Sequence, residues 1–288
     1  MKHFAVLIKI FLLIISIYGS SKKYINNNIP NIPLKRHPQD IFSPHKTFIE
    51  AHCGVNREIF QNTLESFSKA IEYEIDSLET DLWLTKDDVL VLVHATGDGG
   101  LNGYYNTDKN IKDLTWEEIS NLRTVKDNLK MPRLIDLFNI AKNKIYIDLE
   151  IKDPRVDLVF PKVIKLIEEY DMFDQLSIVS IQYDYYNKIE EYNKKNNKKL
   201  IFGFGYTKNH KHPIDFNKKG NTMNIHWNET SKEICEKAHK NGMGVVAWFG
   251  LGEYETEDNY KTVINNGVDV IVANYPVLAK KVRDELYK

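Results

Sequence analysis

Residues 77–95 constrain the fold of this chain more than any other stretch of its sequence. The first eight of them alternate, so that Glu79 and Asp81 share one face of a predicted strand. A polar turn and a second, apolar strand over 89–93 follow, and His94 stands at its end. Because unpaired buried carboxylates are very costly, a half-buried strand that carries two of them favours a bound cation. The alternative is an edge strand with both acids in water.

The predicted strand over 144–152 shows the same alternation. Its isoleucines and leucine face one side, whereas Asp148, Glu150 and Lys152 face the other. Acids near the C-terminal end of a strand are typical of a barrel active site, because barrel enzymes keep their chemistry at that end. We therefore expect Glu150 and Lys152 to join the acids of the first strand in one site.

From residue 48 onward the chain repeats a short apolar strand, a turn and an amphipathic helix. This pattern is typical of a mostly parallel sheet with helices outside, and the length of 288 residues suits an α/β barrel of usually about 250. We predict a TIM-type (β/α)8 barrel. The sequence offers nine strand candidates, one more than the barrel needs, so one candidate is either a short extra strand or a wrongly divided strand. The candidates are 48–54, 77–84, 89–93, 145–151, 176–181, 200–204, 223–226, 245–249 and 268–273.

Three predicted helices begin with a capping pair, in which a polar N-cap residue precedes a glutamate by three positions. Gly242 ends the last of these helices, because glycine readily adopts the left-handed conformation that closes a helix. The pairs are Asn62 with Glu65, Thr115 with Glu118, and Thr230 with Glu233.

The first 45 residues are predicted to precede the folded domain. Residues 1–21 combine a basic start, an apolar run and a small-residue end, which are typical of a secretory signal peptide. The run is too short for a membrane span of about 20 residues, so we expect no stable membrane anchor. Residues 22–45 indicate a flexible lead-in to a barrel domain over 46–288. The mature protein is expected to be secreted or in an endolysosomal lumen.

Charge and cysteine content narrow the class of protein. A formal net charge of −1 gives no reason to expect a nucleic-acid partner, since proteins that track phosphates usually carry a basic excess. The two cysteines, Cys53 and Cys235, are too few for a disulfide-stapled scaffold. We expect both to be unpaired, because the first would lie at the inner top of a strand and the second on an outer helix.

The polar residues at the predicted strand ends form one candidate site. Three carboxylates, without a cysteine or histidine triplet spaced for zinc, suit one hard divalent cation such as Ca²⁺ or Mg²⁺. Two histidines beside it suit a general base and a general acid. The six residues are His52, Glu79, Asp81, His94, Glu150 and Lys152.

At these residues the chain resembles the glycerophosphodiester phosphodiesterase family, part of the PLC-like phosphodiesterase barrel superfamily. The resemblance runs from residue 48 to residue 278 and follows the family motifs in order. The matching segments are His52-Cys53-Gly54, Phe60-Gln61-Asn62-Thr63, Glu79-Thr80-Asp81, Thr85-Lys86-Asp87-Asp88, His94-Ala95, Asn102-Gly103, Leu114-Thr115-Trp116-Glu117-Glu118, Met131-Pro132-Arg133-Leu134, Glu150-Ile151-Lys152, Val245-Val246-Ala247-Trp248 and Gly267-Val268-Asp269-Val270-Ile271.

The resemblance implies a reaction, in which a small glycerophosphodiester is hydrolysed to glycerol 3-phosphate and an alcohol. A divalent cation suits this chemistry because it polarises a phosphoryl oxygen, while positive groups stabilise the developing charge. The implied roles are metal ligands at Glu79, Asp81 and Glu150, an acid/base pair at His52 and His94, and substrate contacts at Lys152 and Trp248, with Lys152 also catalytic.

Three positions depart from the family pattern. Cys53 stands where the family has an arginine, Ala95 stands where it has an aspartate, and residues 273–276 replace its Thr-Asp-x-Pro. Three carboxylates and one divalent cation leave the site negative before a phosphodiester arrives, so the loss of the arginine is expected to reduce activity. Arg57 is the nearest possible replacement in the sequence.

Two other functions fit the same residues. A lipid-directed relative of the phospholipase C or sphingomyelinase D type would need an apolar lip, for which aromatic side chains are available. A non-catalytic phosphate-binding barrel would keep its cation for structure, but the two histidines argue against it because a structural site needs only the acids. The candidate lip residues are Trp83, Tyr104, Tyr105 and Phe249.

Overall fold

The computed structural model describes residues 46–206, 214–216 and 220–288. The predicted signal peptide at 1–21 and the predicted lead-in at 22–45 lie outside the described residues. Within the described ranges, no helix is both long and apolar enough to cross a membrane.

The described strands form one sheet that closes on itself. They are β1 Phe48–Ala51, β2 Ser77–Leu84, β3 Leu90–Leu92, β4 Tyr146–Ile151, β5 Leu176–Ser180, β6 Ile201–Gly205, β7 Thr222–His226, β8 Gly244–Trp248 and β9 Val270–Ala273. All except β3 pair in parallel, in the order β1, β2, β4, β5, β6, β7, β8, β9, and β9 pairs again with β1. The predicted eight-stranded barrel is therefore confirmed.

Strand β3 accounts for the ninth strand candidate, and it is a short extra strand rather than a wrongly divided one. It runs antiparallel to β2, with Leu92 opposite Leu82, and so stands outside the ring. The amide of Val93 donates a 3.0 Å hydrogen bond to the carbonyl oxygen of Asp81. This hairpin brings His94 beside the acids of β2.

The α-helices of the described chain follow or separate the strands in sequence, and the last comes after β9. One predicted start is confirmed, because Thr115 and Glu118 form a capping box at the helix Trp116–Ser120. The helices are α1 Leu64–Glu72, α2 Trp116–Ser120, α3 Leu134–Ala141, α4 Val156–Tyr170, α5 Tyr183–Asn196, α6 Lys232–Lys240, α7 Glu257–Asn266 and α8 Pro276–Leu286.

The other two predicted caps are wrong by one residue. Thr63 caps α1 and Ser231 caps α6, through side-chain oxygens that accept from backbone amides. Asn62 cannot cap because its amide group is bonded to β2. Oγ1 of Thr230 instead donates a 2.7 Å hydrogen bond to the carbonyl oxygen of Trp227.

An apolar layer closes the N-terminal end of the barrel. Phe48, Tyr146 and Val270 are the first residues of β1, β4 and β9, and they pack together in one buried cluster. Parallel pairing of β2 with β4 places Asp81 opposite Glu150, nearer the C-terminal end. Asp81 and Glu150 therefore lie toward the C-terminal end of the barrel, where barrel enzymes hold their active sites.

Candidate active site

Three carboxylates meet at the C-terminal ends of β2 and β4. Oxygen atoms of Glu79, Asp81 and Glu150 all lie within 4.8 Å of one another, and we call these residues the oxygen group. Glu79 is 7% exposed and Asp81 is 1% exposed. Because like charges repel strongly when buried, this arrangement needs positive charge close by.

Lys152 supplies part of that charge. Its Nζ lies 2.6 Å from Oε1 of Glu150 and 3.3 Å from Oδ1 of Asp81. Burial alone would lower the pKa of Lys152, but the carboxylates outweigh it and raise this pKa above its ordinary value. Burial alone would raise the pKa of Asp81, but Lys152, His94 and a hydrogen bond from Asn62 lower it to about 2. Asp81 is therefore a charged carboxylate.

Glu79 is the member of the oxygen group whose charge is least balanced. Burial, together with Asp81 and Glu150, raises its pKa well above the ordinary value. Its Oε2 accepts a 2.9 Å hydrogen bond from the amide of Cys53, whereas its buried Oε1 has no hydrogen-bond partner in the described part of the chain. A cation between the three carboxylates would give Oε1 a partner, so these residues fit a hard divalent ion.

The two predicted histidines lie against the same site. Nε2 of His52 is 4.0 Å from Oε2 of Glu79, and burial lowers the pKa of His52 to about 4. Nδ1 of His94 lies 3.0 Å from the carbonyl oxygen of Ala95 and 3.0 Å from the hydroxyl of Tyr104. Because a carbonyl only accepts, Nδ1 of His94 is the donor in its bond to Ala95, and this bond orients the ring in the site.

A cavity of about 480 Å³ opens beside these groups. Its polar lining residues include His52, Glu79, His94 and Glu150, with Lys152 as the one lysine or arginine among the described lining residues. Trp248 lines it too, as expected of a substrate contact. Apolar side chains line the rest of the cavity, and we call them the apolar wall: Val179, Ile181, Tyr206, Leu251 and Val272.

Cys53 stands where the resemblance to the family leads us to expect an arginine, and it brings no positive charge. Its side chain is fully buried, with Sγ 3.2 Å from Oδ2 of Asp81 and 3.5 Å from Oε2 of Glu79. Burial and the two acids raise the pKa of the Cys53 thiol well above its ordinary value. The chain turns away from β1 at Gly54, which has a φ of 79° and where any Cβ would collide with Ser66.

Arg57 does not replace the missing arginine. Its guanidinium donates to the carbonyl oxygen of Glu253 and lies 5.0 Å from the ring centroid of Tyr275. These partners hold it outside the described cavity lining. The two cysteines are confirmed as free, with Cys53 beside the site and Cys235 on α6.

The predicted lip residues are wrong, and other side chains take their place. Trp83, Tyr105 and Phe249 are 4%, 2% and 0% exposed, since they pack in the protein core. Tyr104 contacts His94 and is not itself a lining residue of the cavity. The apolar wall was not predicted from the sequence, although Ile181 directly follows a strand end where a barrel ligand site is expected. The role of Asn62 was not predicted either, because its position suggests a helix cap.

Comparisons with known proteins agree with this geometry. The model of the glycerophosphoryl diester phosphodiesterase family matches residues 52–278. A glycerophosphodiester phosphodiesterase of Caldanaerobacter subterraneus subsp. tengcongensis is 29% identical over 245 residues, which cover 80% of this chain and 95% of that protein.

Solved structures show the same fold at low sequence identity. An Oleispira antarctica phosphodiesterase, solved in complex with the product sn-glycerol-3-phosphate, has a TM-score of 0.72 at 17% identity and covers 83% of this chain and 97% of its own. A glycerophosphodiester phosphodiesterase from Agrobacterium tumefaciens has a TM-score of 0.67 at 18% identity and covers 82% and 99%. The chain therefore belongs to the glycerophosphoryl diester phosphodiesterase family, which confirms the family and the enzyme class predicted from its sequence.

Proposed function

We propose that this enzyme is a metal-dependent hydrolase that converts glycerophosphodiesters to glycerol 3-phosphate and an alcohol. The observation that carries the proposal is the cluster of Glu79, Asp81 and Glu150 beside a cavity of about 480 Å³, which is also lined by two histidines and one lysine. The Oleispira relative was solved with glycerol 3-phosphate as its product, which supports the same product here. We propose further that residues 1–21 direct the enzyme to the secretory route and that it has no stable membrane anchor.

The proposed cofactor is one divalent cation, Ca²⁺ or Mg²⁺, held by Glu79, Asp81 and Glu150. An all-oxygen donor set supports either ion, and the orphaned Oε1 of Glu79 supports a cation at this place. When bound, the cation supplies Lewis-acid polarisation of a phosphoryl oxygen.

His52 and His94 are the proposed acid/base pair. One ring takes the proton from the attacking hydroxyl, and the other gives a proton to the oxygen of the leaving alcohol. Both rings line the cavity, and the bond from Nδ1 of His94 to Ala95 holds that ring in one orientation. Two histidines are needed for proton transfer during turnover but not for binding a structural cation, so their presence supports an enzyme over a binding-only barrel.

Lys152 is the proposed phosphate-facing cation. Its ammonium group lies between Asp81 and Glu150 and lines the cavity, so one short movement brings it to a bound phosphodiester. Three carboxylates, one divalent cation and Lys152 leave the site without net formal charge. An arginine at position 53 would have made it positive, so we propose that Cys53 weakens phosphodiester binding.

The test is turnover by the purified chain on a panel of glycerophosphodiesters, with glycerol 3-phosphate as the measured product. We expect activity with Mg²⁺ or Ca²⁺ and its loss on adding a chelator, followed by recovery when the ion is restored. Metal-loaded protein that releases no glycerol 3-phosphate from any member of the panel would refute the proposal.

A lipid-directed phosphodiesterase is the second candidate, and the apolar wall favours it. Ile181 is 49% exposed and borders the same cavity as Leu251 and Tyr206, which would suit a hydrocarbon chain on the alcohol. The same panel with one lysolipid added separates the two functions. A higher kcat/KM on the lysolipid than on every short-chain diester would favour the second candidate.

A further inference from the structure

Glu79 belongs to two overlapping groups of possible metal ligands. The first is the oxygen group, which it forms with Asp81 and Glu150. In the second, one carboxylate oxygen of Glu79, one ring nitrogen of His52 and Sγ of Cys53 lie within 4.8 Å of one another. We call His52, Cys53 and Glu79 the thiol group. Its nitrogen, sulfur and oxygen donors differ in chemistry from the oxygen group.

The distances within the thiol group are close to those around a tetrahedral ion. Sγ of Cys53 lies 3.5 Å from Oε2 of Glu79, and Nε2 of His52 lies 4.0 Å from the same oxygen. Zinc bonds of about 2.3 Å to sulfur, 2.0 Å to nitrogen and 2.1 Å to oxygen would separate these pairs by about 3.6 Å and about 3.4 Å. A closure of about 0.6 Å would bring His52 and Glu79 to that separation.

The thiol group is built into the protein. Cys53 is 0% exposed and Glu79 is 7% exposed, and the Cys53 amide fixes the Glu79 carboxylate against the thiol with a 2.9 Å hydrogen bond. Among the described residues, Oε1 of Glu79 has no hydrogen-bond partner. The carboxylate of Glu79 thus has Oε2 beside a sulfur and a nitrogen donor and a second oxygen, Oε1, without a partner, and a buried acceptor of this kind points to a bound cation.

We propose that the thiol group is a second metal site, which binds Zn²⁺ or Co²⁺ and competes with the hard cation for Glu79. Sulfur and imidazole donors favour these ions, whereas Ca²⁺ and Mg²⁺ prefer oxygen. On binding, the metal–sulfur bond forms, the S–H bond of Cys53 breaks, and the proton passes to solvent. Neither the metal nor the sulfur changes its oxidation state.

Occupation of the thiol group takes Nε2 of His52 away from the reaction. Zn²⁺ therefore inhibits the enzyme, and this consequence rests on the proposed function, whereas metal binding itself does not. A family arginine at position 53 would offer no donor to a metal, so the inhibition is a property of the cysteine.

Cobalt absorption tests the binding without any substrate. Co²⁺ added to the purified full chain is expected to give a near-ultraviolet sulfur-to-cobalt charge-transfer band that saturates at one ion per chain. Cys53→Ser should lose the band, whereas Cys235→Ser, which changes the other buried cysteine, should keep it. Glu150→Gln should also keep it, because Glu150 belongs only to the oxygen group. Calorimetric Ca²⁺ or Mg²⁺ binding by Cys53→Ser shows that this variant is folded.

A band that survives in Cys53→Ser, or no band in the wild type, would overturn the proposed site. With saturating Mg²⁺, the Zn²⁺ concentration for half inhibition should be at least about tenfold higher for Cys53→Ser than for the wild type. Equal sensitivity would overturn the inhibitory role. Wild-type protein that turns over no glycerophosphodiester would count against the proposed function only, because the cobalt band decides the metal site.

Discussion

Asn62 and Asp81 are joined by a 2.9 Å hydrogen bond from Nδ2 of Asn62 to Oδ2 of Asp81. Oδ1 of Asn62 accepts a second bond, of 2.6 Å, from Oγ1 of Thr80. Asn62 has a φ of 53°, in the left-handed region that asparagine tolerates better than most residues. One amide side chain thus bridges the segment before α1 to β2 and orients a carboxylate of the oxygen group.

Asn62→Ala is expected to lower the free energy of unfolding by about 2–4 kcal/mol, since it removes both hydrogen bonds and keeps the left-handed backbone. Asn62→Gly is the matched control, because glycine adopts this backbone without strain, and its loss should be smaller by about 1 kcal/mol. Urea unfolding of the two variants measures the difference. If both variants had the free energy of unfolding of the wild type, the hydrogen bonds of Asn62 would contribute nothing to stability.

Glu79→Gln, Asp81→Asn and Glu150→Gln are each expected to abolish activity and to weaken Ca²⁺ or Mg²⁺ binding, since each removes a charged ligand. Glu50→Gln is the control for cation binding, because Glu50 is a buried acid of β1 whose pKa burial raises well above the ordinary value. Calorimetry measures the affinities. Cation binding that stays at the wild-type level in all three ligand variants would remove the oxygen group from the metal site.

His52→Ala and His94→Ala are expected to keep the fold and the hard cation but to lose about 10²–10⁴ in kcat, the usual contribution of a general acid or base. Circular dichroism and calorimetry check the fold and the cation, and steady-state kinetics measure the loss. If either variant works within a few-fold of the wild type, that histidine does not take part in proton transfer.

Cys53→Arg is expected to raise kcat/KM, because a guanidinium adds charge and a bidentate phosphate contact that a thiol cannot provide. A gain of about 1.4 kcal/mol in transition-state binding corresponds to a tenfold increase. Cys53→Met is the control, since it adds length without charge and should give no gain. A lower kcat/KM for Cys53→Arg would show that the site is rebuilt around a smaller residue.

We expect stability to depend on pH because His239 on α6 is paired with Asp269, which precedes β9. Nε2 of His239 lies 2.8 Å from Oδ2 of Asp269, and this hydrogen bond raises the pKa of His239 above 6.5, although burial opposes it. Stability from a raised histidine pKa is complete below the unfolded pKa and is lost as pH rises through the folded pKa. His239→Gln should therefore lose stability near pH 5.5 but not near pH 8.5, by less than about 1 kcal/mol because the pair is partly exposed. Urea unfolding that gave the same loss at both pH values would contradict this.

Local sequence pattern was enough to predict the strands that carry the site. The two-residue period of a strand places Glu79 and Asp81 on one face whatever the rest of the fold does. Parallel strands then bring their C-terminal ends together, which predicts that Glu150 and Lys152 join them. Ordered motifs along the chain were specific enough to predict the family, and the family match over 52–278 confirms it.

Only the tertiary structure decided features that depend on contacts between distant residues. Asn62 and Thr63 are both residue types that can cap a helix. Because the side chain of Asn62 is bonded to Asp81, 19 residues away, Thr63 caps the helix instead. The hydrophobic character of Trp83 did not show whether it lies in the core or at the cavity entrance, because its burial depends on residues from distant parts of the chain. The thiol of Cys53 meets Glu79 and Asp81 across 26 and 28 residues, where the turn after β1 folds back against β2. No local sequence pattern predicts that contact, so the thiol group could be identified only from the tertiary structure.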